Sequence, residues 1–389
     1  MTFRFIPLRY NLRNLGRRPL RTLLTILGLA LVVFGCILMH SFATGLNKRQ
    51  IRSASKQNVI ILSSKIDDDI TMSSISKGSV DTLSASFSGI KEEYGQRLIS
   101  PEVYHGAKVR LAENADHFNL AVMRGVKSMA YRVHPQVNII EGHEAKRGHQ
   151  IMVGKLVAAQ MGLENDALKV GRKLFVADHS WEIVGIFEAP GTVYESEIWC
   201  DADDLIVATK RNDYSAISLV VDSAEAVDDI NYFCEKRIDL EVKSLTETSF
   251  YSKLAKTMNS LGLIVYFMLA LVVFGGVLGG TNTMYAAVLG RFREFGTLRT
   301  LGFSKMGIFV GLCIESVIIA SAGGVLGATL ATLANDFALR IPMGAFALHV
   351  GMAEMLAGFG LALFIGFIGA IVPGIKSMKM STVESIRAV

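Results

Sequence analysis

Four long apolar stretches, separated by one long polar region and two short ones, set the pattern of this chain. No charged residue occurs from Thr22 to Asn47 or from Thr257 to Gly290, and two further stretches contain a single acid each. Every stretch exceeds the roughly 20 apolar residues that a helix needs to cross the hydrocarbon core of a bilayer. The pattern predicts four transmembrane helices, at residues 22–47, 257–290, 306–335 and 351–375.

The segment before the first apolar stretch is basic, as it is in a secretory signal peptide. The stretch that follows is longer than the ~7–15 residues of a signal peptide's apolar region, which favours a retained transmembrane helix over a cleaved signal. Arg9, Arg13, Arg17 and Arg21 recur at every fourth residue, beside a stripe of leucines. This spacing predicts an interfacial amphipathic helix over residues 1–21, bound to an anionic leaflet. A disordered basic tail is the alternative.

Residues 48–256 contain short runs rich in Val and Ile, which are typical of strands, and a few amphipathic runs, which are typical of helices. The predicted strands are Gln57–Leu62, Ala107–Leu111, Leu120–Arg124, Lys173–Ala177, Trp181–Phe187 and Ala216–Val221. The predicted helices are Gly154–Met161, Ser223–Arg237 and Thr246–Lys256. We expect an α+β domain of two subdomains, divided near Glu141–Gly148, in which the serine-rich residues 63–88 form a mobile loop or a loosely packed excursion. The predicted fold is therefore an α-helical membrane protein with four transmembrane helices and an α+β extracytoplasmic domain between helices 1 and 2.

The charges of the chain are divided between its regions in a way that orients it. Hydrophobic residues make up 51% of the chain and charged residues 19%, against about 25% charged in soluble proteins. Residues 48–256 hold 26 basic and 30 acidic residues, whereas the rest holds 14 basic and 5 acidic. The basic excess lies beside the apolar stretches, so it indicates membrane flanks and not a nucleic-acid site. The positive-inside rule then predicts a multi-pass inner-membrane protein with both termini, the 291–305 segment and the 376–389 tail in the cytoplasm.

Motifs for nucleotide binding or covalent catalysis are missing from the sequence. It contains no G-x-x-x-x-G-K-[ST], no G-x-S-x-G and no H-E-x-x-H, so we expect no enzymatic activity and no bound cofactor. The histidines lack metal-ligand spacing, and no metal site is expected. Cys200 and Cys234 are interpreted as separate buried thiols rather than a disulfide.

The most informative segment joins the second and third apolar stretches. Two GxxxG pairs, Gly275/Gly279 and Gly276/Gly280, would let a neighbouring helix approach closely. In the short segment that follows, Phe295, Leu298 and Leu301 fall on one helical face, away from the charged residues Arg293, Glu294 and Arg299. Gly302 stands where it would end the helix. Such a segment could insert into a groove of a cytoplasmic partner; the alternative is an ordinary basic loop that binds anionic lipid.

This segment resembles the permease domain of the MacB/FtsX superfamily of ABC transporters. In that family the pattern G-G-x-x-x-x-x-N-x-M…R-x-R-E-x-G-x-x-R-x-x-G forms the second transmembrane helix and the coupling helix that inserts into the ATPase. The matching positions are Asn282, Met284, Arg291, Arg293, Glu294, Gly296, Arg299 and Gly302. Glu315 and the run Ser321–Gly327 resemble the family's third helix, and Gly171 with Trp181–Ile186 resembles part of its periplasmic domain. The C-terminal segment Met380–Val389 resembles the family's tail, with Ile386, Arg387 and Ala388 altered.

Several other positions carry individual expectations. Gly323, Gly324 and Gly327 are predicted to permit close helix packing, and Asn282 to bond across helices. Glu315 is an acid inside an apolar stretch, which is a functional candidate by default; a structural pair with a basic partner is favoured over a proton relay.

The resemblance implies a permease that works with a separate cytoplasmic ATPase, which would bind the ATP and Mg²⁺. It also implies a second permease protomer in a homodimer and mechanical motion of the extracytoplasmic domain. Export through a periplasmic adaptor and an outer-membrane channel is the favoured activity. Extraction of lipoproteins by a Lol-type machine, or a transmembrane signal to a cell-wall hydrolase as in FtsX, are the alternatives. The sequence contains no set of catalytic residues that would support a fourth interpretation, an integral-membrane enzyme.

Overall fold

The structure is a computed structural model that describes residues 7–66, 69–113, 115, 117–335, 337–341 and 344–379. The predicted tail beyond Lys379 lies outside the described residues. The helices are α1 (Leu8–Leu15), α2 (Pro19–Ser53), α3 (Lys77–Ser86), α4 (Ala130–Val133), α5 (Val157–Gln160), α6 (Ala202–Ala208), α7 (Ala224–Lys236), α8 (Glu247–Leu289), α9 (Phe292–Thr300), α10 (Lys305–Thr332) and α11 (Met352–Lys379). Single 3-10 turns occur at Asn165–Ala167, Tyr194–Ser196 and Ile238–Leu240.

The strands are mostly short and lie between α2 and α8. They are β1 (Asn58–Ser63), β2 (Ile75–Ser76), β3 (Glu92–Glu93), β4 (Gln96–Arg97), β5 (Ile99–Val109), β6 (Asn119–Val126), β7 (Asn138–Gly142), β8 (Gln150–Gly154), β9 (Lys173–Val176), β10 (His179–Glu188), β11 (Glu197–Asp201), β12 (Asp213–Tyr214), β13 (Ala216–Val220), β14 (Val242–Thr246), β15 (Ala338–Ile341) and β16 (Gly344–Ala347).

Helices α2, α8, α10 and α11 are long and apolar enough to cross a membrane, with mean hydropathies of 2.1–2.6. They confirm the four predicted apolar helices. The predicted helix Thr246–Lys256 and the second apolar stretch are one continuous helix, α8, of 43 residues. Helix α2 likewise extends past its apolar stretch to Ser53.

The chain divides into two compact units. The membrane unit comprises residues 1–44, 261–336 and 348–389, and the sheet unit comprises residues 45–260 and 337–347. Helices α2 and α8 therefore each contribute one end to the sheet unit.

Glycines bring the helices of the membrane unit into close contact. A Cβ atom on Gly327 would lie 2.5 Å from the carbonyl oxygen of Ala30, and one on Gly323 would lie 3.1 Å from that of Ile26. A Cβ on Gly324 would lie 2.8 Å from the Cβ of Ala362. Because a carbonyl oxygen of a neighbouring helix cannot move aside as a flexible side chain can, a larger residue at Gly327 would push α10 away from α2.

The N-terminal basic segment is not one helix. Helix α1 ends at Leu15 and α2 begins at Pro19, so Arg9 and Arg13 lie on α1 while Arg21 lies on α2. Proline disfavours helical backbone in the residue before it but is accepted in the first turn of a helix. The predicted stripe of four arginines on a single helix is therefore wrong, because Pro19 restarts the helix.

The sheet unit is built around one ten-stranded mixed sheet. Its strand order is β14-β1-β13-β5-β6-β11-β8-β10-β7, and β9 pairs with β10. The β6–β11 and β8–β10 pairs are parallel and the remaining pairs are antiparallel. Strand β5 is long enough to pair first with β13 and then with β6, which joins the two halves of the sheet.

Two apolar cores cover different parts of this sheet. One is centred on Trp181, Ile183 and Met123, all fully buried. The other places the fully buried Val59 and Leu219 against α7. Helix α7 begins at a serine cap, since the Ser223 Oγ accepts a hydrogen bond from the Ala226 amide at 3.3 Å. This confirms the predicted start of that helix.

Several sequence-based expectations for this unit were wrong in detail. The serine-rich region includes α3, whose Val80 and Leu83 are buried in the second core, and so it is not a loose loop there. The residues near Glu141–Gly148 do not divide the sheet, because β7 and β8 both pair with β10. The predicted helix Gly154–Met161 is limited to α5, since Gly154 belongs to β8.

Cys200 and Cys234 are separate buried thiols, as the sequence favoured.

The segment between α10 and α11 forms a hairpin instead of a plain loop. Strands β15 and β16 pair antiparallel, with Ala338 opposite Ala347. The hairpin belongs to the sheet unit and packs against α5. One end of α2, one end of α8 and this hairpin thus belong to the sheet unit.

Candidate functional sites: a helical elbow and a buried charge network

The segment between α8 and α10 folds into a sharp elbow, which we define as Arg291–Ser304. Helix α9 ends as the sequence predicts: Gly302 has a positive φ of 91°, and the Phe303 amide donates to the Leu298 carbonyl at 3.1 Å. This is the left-handed turn that glycine permits after a helix. The next helix starts at once, because the Ser304 Oγ accepts a hydrogen bond from the Gly307 amide at 2.9 Å.

The inner face of the elbow packs against the helices on either side. Phe295 is buried with Val288 of α8 and with Ile308 and Leu312 of α10. Tyr10 of α1 packs against the same cluster. The elbow is therefore held to three other helices through one aromatic side chain.

A buried ion pair fixes the base of the elbow. The Arg291 Nη1 lies 2.8 Å from the Glu315 Oε2, and its Nε lies 3.1 Å from the Glu294 Oε2. The Asn14 side-chain Nδ2 donates to the other oxygen of Glu315 at 3.1 Å, and the Arg17 guanidinium lies 3.6 Å from the Glu294 carboxylate. Burial alone would lower the pKa of Arg291, but the two carboxylates outweigh it and raise that pKa above its ordinary value. Glu315 is thus a paired acid in this structure, with Arg291 as its basic partner.

The outer face of the elbow is left to solvent. Arg293, Thr297 and Thr300 are exposed, and the Leu301 side chain is 63% exposed. The sequence placed Phe295, Leu298 and Leu301 on one face, but Phe295 is buried and Leu298 is half-buried. Leu301 follows the last residue of α9 and is exposed, so the apolar residues are divided between an internal contact and an exposed surface.

The other predicted positions are distributed over the membrane unit. Gly276 packs against α2, since its Cβ would lie 3.1 Å from the Val32 Cγ1, whereas Gly275 and Gly279 face open space. A Cβ on Gly280 would only touch Ile365 of α11, at 3.9 Å. Asn282 is exposed, and within the described part of the chain no hydrogen bond joins its side chain to another helix.

Arg9, Arg13 and Arg17 are exposed, in keeping with a membrane-surface segment. Arg21 is half-buried and donates a hydrogen bond to the carbonyl of Thr283 on α8. The amphipathic N-terminus is therefore joined to the second apolar helix as well as to the elbow.

The sheet unit contains a buried charge network that the sequence analysis did not identify. We define the anchor network as Glu102, Arg124, His134, Glu197 and Glu247, whose side chains are all at most 7% exposed. The Arg124 Nη1 lies 3.2 Å from the Glu102 Oε2, and its Nε lies 2.8 Å from the Glu197 Oε2. One cation thus compensates two buried carboxylates.

Arg124 is also enclosed by aromatic rings. Its Cζ lies 4.3 Å from the ring centre of Tyr104, 4.7 Å from that of Tyr194 and 5.3 Å from that of Trp199. Rings at this distance attract a guanidinium through their negative faces. The Trp199 Nε1 in turn donates to Glu197 at 2.9 Å, so the ring and the ion pair hold each other in place.

His134 connects this ion pair to the first turn of α8. Its Nε2 lies 2.8 Å from the Glu102 Oε1, and its Nδ1 lies 3.8 Å from the Glu247 Oε1. The other oxygen of Glu247 accepts a hydrogen bond from the Ser55 amide, just after α2, at 2.7 Å. The residues that follow α2 and those that begin α8 therefore meet at a single carboxylate.

The end of α2 has further bonds to the loop before β11. The Arg49 Nε donates to the Thr192 carbonyl at 3.0 Å. The Val193 amide donates to the Ser53 Oγ at 2.8 Å, and the Tyr194 hydroxyl donates to the Ser53 carbonyl at 3.2 Å. These hydrogen bonds hold the C-terminal end of α2 within the sheet unit, so α2 does not lead into a flexible linker.

The protonation of the network follows from its geometry. Burial would raise the pKa of Glu102, but the charges of His134 and Arg124 outweigh burial and hold that pKa at about 2. Burial raises the pKa of Glu247 above the usual value, because His134 and the hydrogen bond from the Ser55 amide offset burial only in part. The network therefore keeps Glu102 ionised.

A signal for the network was present in the sequence. Glu102 and Arg124 each occupy the interior of a strand that is otherwise largely apolar. Charged residues at such positions are almost never fully buried unless they are paired. The sequence does not indicate which partners they take, because the strand register decides that.

Comparison with known families finds two matches, one over the first apolar stretch and most of the polar region, and one over most of the remaining apolar stretches. Residues 22–231 match the MacB-like periplasmic core domain, and residues 266–382 match the FtsX-like permease C-terminal domain. The first match alone covers more than half of the chain.

Relatives are similar over much of the chain at low identity. An uncharacterized ABC transporter permease of Methanocaldococcus jannaschii, MJ1507, is 26% identical over 57% of this chain and 58% of its own length. The macrolide export ATP-binding/permease protein MacB of Marinobacter nauticus is 22% identical over 97% of this chain and 60% of its own length. This chain thus spans about 60% of the length of these relatives.

Two solved structures resemble the chain. The extracellular domain of the noncanonical ABC-type transporter YknZ from Gram-positive bacteria covers 48% of this chain and 99% of its own, with 14% identity and a TM-score of 0.37. The periplasmic region of MacB from Actinobacillus actinomycetemcomitans covers 52% of this chain and 95% of its own, with 8% identity and a TM-score of 0.40.

The two family matches agree with the four apolar helices and the inserted α/β unit. They account for both halves of the sequence, and the motif at Asn282–Gly302 lies within the second of them. The chain is a multi-pass membrane protein of the MacB/FtsX-type ABC transporter permease family.

Proposed function

We propose that this chain is the non-catalytic permease subunit of an ABC transporter, and that it converts ATP hydrolysis by a separate ATPase into motion of the sheet unit. The ATP and its Mg²⁺ would be bound by the ATPase. The observation that carries the proposal is the elbow: its base is fixed to α1, α8 and α10, while Leu301 and its neighbours are exposed. A rigid segment with an exposed apolar residue is suited to insert into a partner's groove.

The proposed mechanism depends on the contacts that join the elbow to the apolar helices and those helices to the sheet. A push on the elbow acts on α8 and α10 together, because Arg291 and Phe295 join it to both helices. Helix α8 continues to Glu247, which is part of the anchor network. The Ser55 amide, just after α2, bonds to the same Glu247, and the Ser53 carbonyl accepts a bond from Tyr194, whose ring packs on Arg124. A relative shift of these two helices would thus be passed to the β-sheet through these bonds.

The orientation of the chain in the membrane is inferred from its charges, and its activity is inferred from the names of its relatives. The basic excess beside the apolar helices favours a cytoplasmic elbow and cytoplasmic termini, with the sheet unit outside. Relatives are named for macrolide export and pyoverdine export, which supports export as the activity. A homodimer that works with a periplasmic adaptor and an outer-membrane channel completes the proposal.

Replacing Leu301 by aspartate tests the elbow directly. The affinity-tagged chain is captured from its own membranes, and ABC ATPases among the captured proteins are quantified by mass spectrometry. We expect the variant to retain at least tenfold less ATPase than the wild type, because a carboxylate in an apolar groove is costly and interface energy is concentrated in a few side chains.

Leu333→Asp is the matched control. Leu333 is 81% exposed at the other end of α10, so this change adds the same charge away from the elbow and should leave ATPase capture unchanged. Equal capture by both variants would contradict the coupling role of the elbow. A lipoprotein carrier or a cell-wall hydrolase among the captured proteins, in place of an adaptor, would contradict export.

Cysteine labelling in intact cells tests the orientation. Ala85 and Thr300 are exposed, whereas the four native cysteines are buried. We expect a membrane-impermeant maleimide to label Ala85→Cys in intact cells and Thr300→Cys only after permeabilisation. Labelling of Thr300→Cys before permeabilisation would place the elbow outside and refute the proposed topology.

A further inference from the structure

The membrane unit contains an apolar cleft of about 360 Å³. We call it the glycine cleft, because glycines supply much of its wall. It lies between α2, α8, α10 and α11, and its lining includes Gly275, Gly276, Gly279, Gly280, Gly366 and Gly369. Its volume lies in the range of about 300–1,000 Å³ that is typical of small-molecule sites.

The cleft has no hydroxyl hydrogen to offer to a ligand. Its three hydroxyl groups already donate to backbone carbonyls: Ser316 to Gly366 at 2.6 Å, Thr283 to Gly279 at 2.8 Å, and Thr25 to Arg21 at 2.9 Å. A water molecule inside a protein needs two to four polar partners. The lining therefore favours hydrocarbon as the occupant.

One end of the cleft opens into a small basic pocket. The two share Thr25, Thr283, Met284 and Ile319 as lining residues, and Arg17, Arg18 and Arg21 contribute to the second pocket. We call these three residues the arginine trio. An apolar cleft that leads to three guanidinium groups matches the two ends of an amphiphile with an anionic head.

The carboxylates of this pocket neutralise the trio only in part, since two glutamates face four arginines in its lining. Glu315 and Glu294 are both bonded to Arg291, and Glu294 lies 3.6 Å from Arg17. Within the described part of the chain, no carboxylate lies within 4.0 Å of the Arg18 or Arg21 guanidinium. The pocket therefore has an excess of positive charge.

We propose that this site binds one anionic phospholipid, with an acyl chain in the glycine cleft and its phosphate at the arginine trio. The apolar part of the site gives little preference for a particular lipid, because lipid tails are as apolar as the cleft wall. The charges supply the selectivity, at about fivefold for each basic residue near an anionic headgroup.

A transmembrane helix of a second copy is a poorer occupant. A copy related by a two-fold axis along the membrane normal would bring its own arginine trio to the same depth. The like charges would then repel each other.

Native mass spectrometry tests the proposal on the full chain, released from nanodiscs that contain equal amounts of phosphatidylglycerol and phosphatidylcholine. We expect one retained lipid per chain, with phosphatidylglycerol favoured about 25-fold, the product of about fivefold for each of Arg18 and Arg21. The double variant Arg18→Gln/Arg21→Gln should lose this preference, since it removes two headgroup contacts. Arg9→Gln/Arg13→Gln removes the same charge from exposed positions that do not line the pocket, and it should keep the preference.

A second pair of variants tests the cleft. Gly279→Leu fills it without an initial clash, because a Cβ at Gly279 meets open space, and it should abolish lipid retention. Gly360→Leu adds the same side chain at an exposed glycine of α11 that also faces open space but does not line the cleft, and it should retain the lipid. Equal retention of the two lipids by the wild type, or unchanged retention by Gly279→Leu, would overturn the proposal. Loss of dimers in Gly279→Leu without any retained lipid in the wild type would assign the cleft to a second copy instead.

Discussion

Replacing Arg124 by methionine is expected to destabilise the sheet unit by about 3–5 kcal/mol. The substitution removes the cation that lies between Glu102 and Glu197, and it leaves both carboxylates buried beside an apolar side chain. Removing one partner of a buried pair is much costlier than removing the whole pair, because the remaining charge has neither water nor a counter-ion.

The chain provides its own reporter for this measurement. Its only two tryptophans, Trp181 and Trp199, are fully buried in the sheet unit, so tryptophan fluorescence follows the unfolding of that unit alone. We expect the thermal midpoint of the detergent-solubilised chain to fall by on the order of 10 °C.

Arg147→Met is the control for the loss of an arginine from the same unit. The Arg147 side chain is 70% exposed, and its ion pairs with Asp201 and Asp203 lie at the surface. Such pairs contribute about 0–1 kcal/mol, so the midpoint should change little. A midpoint for Arg124→Met that matches the control would show that the anchor network does not stabilise the fold.

Replacing Arg291 by leucine is expected to destabilise the membrane unit by a similar amount, about 3–5 kcal/mol. Within the described part of the chain, Glu315 would then keep only the side-chain Nδ2 of Asn14 as a hydrogen-bond donor. Glu294 would also lose its ion pair with Arg291. The elbow would lose its ion pair with α10, because Arg291 is the residue that binds Glu315. The stability is measured as the fraction of the purified chain that remains monodisperse after heating in detergent.

The double variant Arg291→Leu/Glu315→Leu separates the ion pair from the helix packing. When both charges are replaced by apolar side chains of similar size, most of the lost stability should return, because no unpaired charge remains. Arg13→Leu removes an exposed arginine of α1 and should behave like the wild type. If the double variant is as unstable as Arg291→Leu, the stabilisation comes from packing of the Arg291 side chain and not from the pair.

These ion pairs lie at both ends of the coupling that we propose. The Arg291–Glu315 pair joins the elbow to α10, and His134 joins Glu102 of the sheet to Glu247 at the start of α8. Buried pairs of this kind have one well-satisfied geometry, so they resist small displacements better than an apolar contact that can slide. We expect variants at either pair to weaken coupling as well as stability.

The sequence alone determined the four apolar helices and the placement of the α+β region between the first two. This follows from the bilayer, which requires about 20 apolar residues for each crossing and makes hydropathy informative without knowledge of tertiary contacts. Local chemistry also located the Ser223 cap and the turn at Gly302, because each depends on neighbouring backbone groups only.

The tertiary structure decided what lies far apart in the sequence. Glu102 and Glu247 are separated by 145 positions, and only the strand register and the start of α8 bring both to His134. The elbow shows the same limit over a shorter distance: helical spacing grouped Phe295 with Leu301, but packing against Ile308 buries the first and leaves the second exposed. A one-dimensional pattern gives the period of an element, whereas its neighbours in space determine which side chains are buried and which charges are paired.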